Sequence, residues 1–180
     1  MAYRQQKEHH DILVIGSGPA REAAAMNAKK KGRSVAVIAD EAKVGGSCTH
    51  WATSPSKALR HSVKQVIAFN TNPMFRDFGD ARKLSFQQVL KHADRVVFEQ
   101  VQMRTDFYER NRIPIINARA EFLDRHTVKL IGKRKKLSAD YFIIATGSRP
   151  YHPPDVDFSH PLMFDSDTVL GLNHSPRKVT

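Results

Sequence analysis

In length and composition the chain is that of one ordinary domain with a buried core, since it has 180 residues of which 41% are hydrophobic. Lys and Arg exceed Asp and Glu by 29 to 18, and the formal net charge of +11 favours anionic partners such as phosphates, nucleotides or nucleic acid. A single cysteine excludes an internal disulfide, the polar start "MAYRQQKEHH" contains no signal peptide, and no apolar run is long enough to span a membrane, so we expect a cytoplasmic protein.

The first 40 residues predict a βαβ unit. The segment "DILVIGSGP" indicates a short buried strand, Ile12 to Ile15, that ends in a glycine turn. An Ala-rich helix, "AREAAAMNAKKKG", follows and closes at Gly32, and "SVAVIAD" is a second apolar strand. A strand, a turn, a helix and a strand in this order predict two parallel neighbouring strands.

Two further helices are predicted in the middle of the chain. The first begins with Ser54 as the N-cap and Pro55 in the first helical position, and its apolar stripe is Leu59, Val63, Val66 and Ile67. The second is long and begins with a capping box of Ser85 and Gln88. It ends at about Asn111, and its predicted inward residues are Phe86, Val89, Leu90, Val96, Val97, Val101 and Phe107.

From Ile113 onward the hydrophobic period changes to two. The segments "IPII", "AEFL", "TVKLI" and "KLSADYFIIAT" predict short strands, with a basic hairpin tip at Gly132 to Lys136. Pro- and His-rich loops follow, with one helical turn near Asp167 to Leu170. The predicted fold is therefore α/β, a Rossmann-like parallel sheet with a βαβ dinucleotide-binding unit plus a small antiparallel β-meander.

The glycine turn after the first strand is the first candidate site. In such a turn Gly16 makes the tight bend, Gly18 lets the backbone approach a pyrophosphate, and an acid about 20 residues on, here Asp40, holds a ribose. The alternative is an Ala-rich helix packed on a sheet without a ligand. Arg21 stands where the fingerprint has its third glycine. A buried arginine there should push the helix from the sheet at a cost of about 1–3 kcal/mol, unless its head group reaches solvent or the phosphates.

The loop "GGSCTHWATSPSKALRHS" is arranged like one that carries a pair of redox sulfurs. Only one is present, because Thr53 stands five residues after Cys48. This loop, together with "DILVIGSGPA", "IIATGSRPYHP" and "DSDTVL", resembles the soluble pyridine nucleotide transhydrogenases of the flavoprotein disulfide reductase superfamily. The similarity runs from about Asp11 to the end of the chain.

The resemblance implies a function and a domain organisation. Disulfide reductases of the superfamily use two cysteines, whereas the transhydrogenases have threonine at the second. The implied activity is that of an FAD-dependent NAD(P)+ transhydrogenase, which transfers hydride between NADPH and NAD+ through FAD. Residues 1–180 would be the FAD-binding domain of a larger flavoprotein, with the nicotinamide-binding and dimerisation domains absent. Nicotinamide dinucleotides are the implied substrates, and a homodimer is expected only for the full-length family.

The resemblance also implies roles for individual residues. Lys57, near flavin N5, and Cys48 would be the catalytic residues, and no metal site is expected. The family has glutamate where Ala39 stands, so Asp40 would hold the ribose. The implied FAD-binding residues are Gly16, Ser17, Gly18, Pro19, Ala39, Asp40, Gly45, Gly46, Ser47, Cys48, Lys57, Ala120, Ala145, Thr146 and Gly147. Several glycines of the family are replaced, at Arg21, Ala23, Ser47, Ala52 and Ala118.

Two other functions remain open from the residues. One is a degenerate, non-catalytic Rossmann-like module that keeps the fold and binds a nucleotide. The other is a basic polyanion or nucleic-acid binder that uses the hairpin tip at Lys133 to Lys136. We rank the FAD-dependent transhydrogenase hypothesis first, and it predicts neither a nucleic-acid nor a membrane partner.

Overall fold

The computed structural model describes residues 8–40, 44–78 and 84–180, so most of the predicted polar start lies outside the described residues. The chain divides into two compact units. The first contains the described residues up to Ser47 together with Val101–Ser148, and the second contains Cys48–Gln100 and Arg149–Thr180. No helix in the described part is long and apolar enough to cross a membrane.

The described elements follow the order expected for an α/β fold. In chain order they are β1 (Glu8–Ile15), α1 (Pro19–Lys30), β2 (Val35–Ala39), α2 (Gly46–His50), α3 (Thr53–Thr71), a 3₁₀ helix (Pro73–Phe78), α4 (Phe86–Arg110), β3 (Ile115–Asn117), β4 (Arg119–Asp124), β5 (Thr127–Ile131), β6 (Lys136–Ile144) and a 3₁₀ turn (Val169–Gly171).

The described strands of the first unit form one six-stranded sheet in the order β3-β2-β1-β6-β5-β4. The neighbours from β3 to β6 are parallel, and β6, β5 and β4 are antiparallel. The predicted fold class is confirmed, with the meander continuous with the parallel strands. Because β1, β2 and β6 run in the same direction, their carboxyl ends lie at one edge of the sheet.

Alternating side chains of β1 divide the core of the first unit into two layers. Leu13 packs on one face with Ile38 and the meander residues Val128, Leu130 and Leu137. Val14 packs on the other face, against residues of α1 and α4, namely Ala25, Ala28 and Tyr108. Both faces of the parallel strands are covered, which is why β2 is buried along its whole length.

The capping box predicted for the long helix is confirmed. The backbone N–H of Ser85 donates to Gln88 Oε1 at 2.8 Å, and the N–H of Gln88 donates to Ser85 Oγ at 3.2 Å. The predicted inward residues are only partly right, because Ala93 and Tyr108 are among the most buried side chains of α4 and were not predicted.

The start and the buried face of α3 differ from the prediction. The N-cap is Ala52, with no side-chain cap, so the prediction of Ser54 as the cap is wrong. The buried residues are Pro55 and Ala58, whereas Val63 and Ile67 of the predicted stripe are exposed. The buried residues of α3 are thus small ones near its start. Helical spacing alone does not predict which face of a helix is buried.

The C-terminal loops of the second unit are organised by Asp165. Its carboxylate accepts hydrogen bonds from His152 Nε2 at 2.7 Å, from Thr168 Oγ1 at 2.7 Å and from the Thr168 N–H at 2.8 Å. The ring of His152 stacks on Phe158 with the centroids 3.9 Å apart. The 3₁₀ turn that follows confirms the predicted helical turn.

This network predicts an acid-sensitive segment. The bonds from His152 and then Thr168 hold the pKa of Asp165 well below its ordinary value of 3.8. Since the folded-state pKa lies below the unfolded one, the stabilisation is complete above the unfolded value and is lost as the pH falls toward the folded one. Exchange protection of the Thr168 amide should therefore decline below about pH 4 in the wild type. In Asp165→Ala, which removes the acceptor oxygens, the protection should be low at every pH, and in the control Asp155→Ala it should follow the wild type. Equal protection in all three proteins would contradict the prediction.

Candidate functional site

The carboxyl ends of β1, β2 and β6 are joined at the glycine turn. The N–H of Gly16 donates to the Ile38 carbonyl at 2.9 Å, and the N–H of Ala145 donates to the Ile15 carbonyl at 2.7 Å. Gly16 has a φ of 142°, and a Cβ built on it would lie 1.9 Å from the Ala145 carbonyl oxygen. Only glycine fits there, because the backbones after β1 and β6 are in direct contact.

A second glycine pair packs on this turn. The N–H of Gly45 donates to the Ser17 carbonyl at 3.1 Å. Gly46 has a φ of 58°, and a Cβ on it would lie 2.7 Å from Gly18 Cα and 2.8 Å from Gly18 N. A Cβ built on Gly18 itself would meet nothing within 4 Å. The turn is therefore packed on the side of Gly46 and open beside the Cβ position of Gly18.

The open side adjoins the N-terminus of α1. The helix begins at Pro19 with Gly18 as its N-cap and no side-chain cap, and Gly18 accepts a bond from the N–H of Glu22 at 3.3 Å. The first N–H groups of a helix have no intrahelical acceptor and carry partial positive charge, which makes such an end an anion-binding position. A phosphate group is the chemistry that this end can hold.

Arg21, in the place of the third glycine, is enclosed by the protein. Its side chain is 1% exposed, so the alternative that the head group reaches solvent is wrong. Nη1 donates to the Gly16 carbonyl at 3.1 Å, and Cζ lies 4.9 Å from the centroid of the Tyr108 ring. Nε and Nη2 have no hydrogen-bond partner among the described residues.

Tyr108 is the residue that sequence reasoning missed here. Its side chain is 1% exposed, and its hydroxyl has no hydrogen-bond partner in the described part of the chain. Burial raises the pKa of Tyr108, and the positive charge of Arg21 opposes that rise in part. Counting seven residues on from Val101 along the helical stripe would have predicted Tyr108 instead of Phe107, which is half-buried.

The ribose-side residues lie where β2 ends. Ala39 is buried, and its carbonyl accepts from the N–H of Ala118 at 2.9 Å. Asp40 is exposed, with Oδ2 3.9 Å from Arg119 Nε, a long surface pair that leaves the carboxylate available to a ligand. Ala120 pairs with Leu130 of β5, and Thr146 and Gly147 follow β6 with Gly147 at a φ of 75°.

Cys48 and Lys57 belong to the second unit. Cys48 lies in α2 as a half-buried free thiol, and Lys57 is exposed in the first turns of α3. Thr53 is the first residue of α3. No group of three or more metal-ligating side chains occurs among the residues that the structure describes.

One lysine of the basic hairpin tip is paired within the protein. Lys135 Nζ pairs with Glu8, and this bond is the main cause that lowers the pKa of that carboxyl. Gly132 has a φ of 77° and makes the turn possible. The tip thus has a structural role as the β5–β6 connection.

Comparison with known proteins shows the family of the chain. Residues 10–180 match the pyridine nucleotide-disulphide oxidoreductase family. The soluble pyridine nucleotide transhydrogenase of Marinobacter nauticus is 56% identical over 174 residues, which are 95% of this chain and 37% of that protein. That of Pseudomonas putida strain GB-1 is 54% identical over the same length, 38% of that protein. The chain thus spans less than two fifths of the length of these relatives.

A solved structure shows the same fold. The HOCl-induced flavoprotein disulfide reductase RclA from Escherichia coli superposes with a TM-score of 0.74 at 24% sequence identity. The match covers 90% of this chain and 34% of that one. The match shows that this chain shares its fold with that part of the solved structure.

The packing of Gly46 on the turn can be tested against a matched glycine. Gly46→Ala and Gly132→Ala both place a side chain at positive φ, which costs about 1 kcal/mol each. Gly132 has open space around it, whereas Gly46 meets the backbone of Gly18. Gly46→Ala should therefore cost about 1–3 kcal/mol more in free energy of unfolding, measured by urea denaturation. Equal losses for the two variants would show that the contact is not tight.

Proposed function

Because the chain belongs to the pyridine nucleotide-disulphide oxidoreductase family, we propose that it binds FAD and is the flavin-binding part of an FAD-dependent NAD(P)+ transhydrogenase. The observation that supports this most is the geometry of the glycine turn. A side chain at Gly16 or Gly46 would collide with neighbouring backbone, and Gly18 leaves space beside the N-terminus of α1, which has no side-chain cap. This is the arrangement that a dinucleotide diphosphate requires.

The residues of the first unit fit such a ligand. The uncapped end of α1 offers N–H donors to a diphosphate, and the buried guanidinium of Arg21, which is bonded to the Gly16 carbonyl, adds a positive charge at the turn. The Asp40 carboxylate is exposed where β2 ends, the place for a ribose hydroxyl. Gly16, Ser17, Gly18 and Pro19 would hold the diphosphate, with Gly45, Gly46 and Ser47 beside them. Ala39, Ala120, Ala145, Thr146 and Gly147 would complete the contacts by backbone approach.

The proposed activity follows from what the chain lacks as well as from what it holds. FAD, when bound, supplies the hydride chemistry that connects NADPH with NAD+. Cys48 is the only cysteine of the chain, so it cannot form an internal disulfide that would pass electrons to a disulfide substrate. The family pattern assigns Lys57 the role of a fixed positive charge at the flavin. Cys48 would line the flavin without redox exchange.

We further propose that residues 1–180 act as the FAD-binding domain within a cytoplasmic protein. Binding of nicotinamide dinucleotides and formation of a homodimer would then be properties of the longer relatives.

One observation favours a second function. Arg21 fills the position at which the dinucleotide fingerprint has glycine, and it is buried against Tyr108. If this side chain excludes the diphosphate, the chain is a non-catalytic module that keeps the fold, and Arg21→Gly should increase FAD affinity.

Binding of FAD is tested by fluorescence titration. We expect saturable binding of FAD and much weaker binding of FMN, which lacks the adenosine diphosphate half. Asp40→Ala should lower the affinity for FAD about 10-fold, the effect of one hydrogen bond to a charged group, and should leave the affinity for FMN unchanged. The exposed residue Asp155 gives a control, Asp155→Ala, with the same change in charge. Protein that remains colourless with excess FAD would overturn the proposal.

The role of Lys57 is tested by the flavin reduction potential. Lys57→Met should lower the midpoint potential of the bound flavin by about 30 mV, a tenfold change in a two-electron equilibrium, because a cation stabilises the negatively charged reduced ring. Lys64→Met, on the same helix and also exposed, is the control. The potential is measured by spectroscopic titration against a reference dye. Equal potentials in the two variants would remove Lys57 from the site.

A further inference from the structure

The first unit contains a buried positive charge without a counter-charge. Two arginines and one carboxylate lie near Tyr108. Arg104 Nη1 bonds to Glu22 Oε2 at 2.5 Å, and both side chains are largely buried. Glu22, the one carboxylate of this group, is therefore already paired with Arg104. Among the described residues no carboxylate lies within ion-pair distance of Arg21, whose charge is therefore in excess.

The hydrogen-bonding capacity of Arg21 is also partly unfilled. A guanidinium has five N–H donors, and Nη1 donates to the Gly16 carbonyl at 3.1 Å. Nε and Nη2 have no acceptor in the described part of the chain, and the Tyr108 ring offers a cation–π contact. A buried cation in this state is unfavourable unless an anion compensates it.

The place of this charge indicates what would compensate it. Arg21 is the third residue of α1, and its Nη1 is bonded to the first glycine of the turn. The charge of Arg21 therefore adds to the partial positive charge at the N-terminus of the same helix. The open space at Gly18 adjoins that N-terminus. Two independent sources of positive potential meet at one position.

We propose that Arg21 is an electrostatic positioning residue for the diphosphate of a dinucleotide or nucleoside diphosphate. It acts across the Gly16 turn, since the guanidinium is 1% exposed and its charge is little screened by water. The arginine then replaces the missing glycine of the fingerprint by strengthening the anion site. This inference rests on the proposed dinucleotide site, but it can be tested with ligands that contain no flavin.

The test compares ADP, inorganic pyrophosphate and adenosine by calorimetry at low ionic strength. Arg21→Met should lower the affinity for ADP and for pyrophosphate at least about 10-fold, because two unit charges even about 12 Å apart at an effective dielectric constant of about 20 interact by the energy of a tenfold change in affinity. Adenosine, which has no charge, should bind unchanged. Arg21→Lys keeps the charge and should recover most of the ADP affinity. Arg33→Met, an exposed arginine near the opposite end of α1, is the control with the same change in net charge.

A second readout separates this role from a structural one. Without ligand, Arg21→Met should unfold at a higher temperature than the wild type, because the variant removes an unpaired buried charge and keeps an apolar side chain. Weaker diphosphate binding together with higher ligand-free stability is the expected combination. If Arg21→Met does not fold, Arg21→Gln, which is neutral but can still donate to Gly16, takes its place.

The outcomes distinguish this inference from the proposed function. If Arg21→Met lost affinity for ADP and adenosine alike, or if it bound ADP as tightly as Arg33→Met does, the inference would be overturned. Tighter ADP binding in Arg21→Met would also overturn it and favour the non-catalytic module. ADP and FAD binding that both depend on Arg21 would support both proposals. An Arg21 effect on ADP or pyrophosphate without FAD binding would support the inference and overturn the flavin assignment.

Discussion

The constraint on which the first unit depends is the direct contact of backbone with backbone at the carboxyl edge of the sheet. Gly16 meets the chain after β6, and Gly46 meets Gly18, at distances that leave no room for a Cβ. These two contacts fix where α1 begins and where the chain enters α2. The open position at Gly18 beside the N-terminus of α1 follows from them, so the same constraint that closes the fold also shapes the proposed anion site.

Arg21 shows how the fold accommodates a large side chain where glycine is the rule. The guanidinium stays buried, because it packs on the ring of Tyr108 from α4 and donates a hydrogen bond to the Gly16 carbonyl of the turn. This arrangement solves a packing problem and creates an electrostatic one. Glu22 is already paired with Arg104, so the interior gains a cation that no described acid neutralises. Under the proposed role of Arg21, the charge that favours binding of an anion would lower the stability of the ligand-free protein.

The sequence predicted those features that local patterns determine. The βαβ unit follows from apolar runs and a glycine turn, and the capping box of α4 follows from Ser85 and Gln88 alone. The cap of α3, the burial of Ala93 and the contact of Tyr108 with Arg21 depend on which helix faces which neighbour, and spacing does not contain that information. For the site, pattern predicted Gly16 and Gly18, while the packing of Gly46 on the turn required coordinates.

The single sulfur separates this chain chemically from disulfide reductases of the same fold. In a two-cysteine loop the second thiol resolves the mixed disulfide that the first one forms with a substrate. Here the place of the second sulfur is occupied by Thr53, the first residue of α3, and a hydroxyl cannot take part in thiol–disulfide exchange. Any disulfide at Cys48 must be formed with a thiol outside these 180 residues. The proposed hydride transfer between nucleotides needs no second sulfur, because the flavin supplies that chemistry when it is bound.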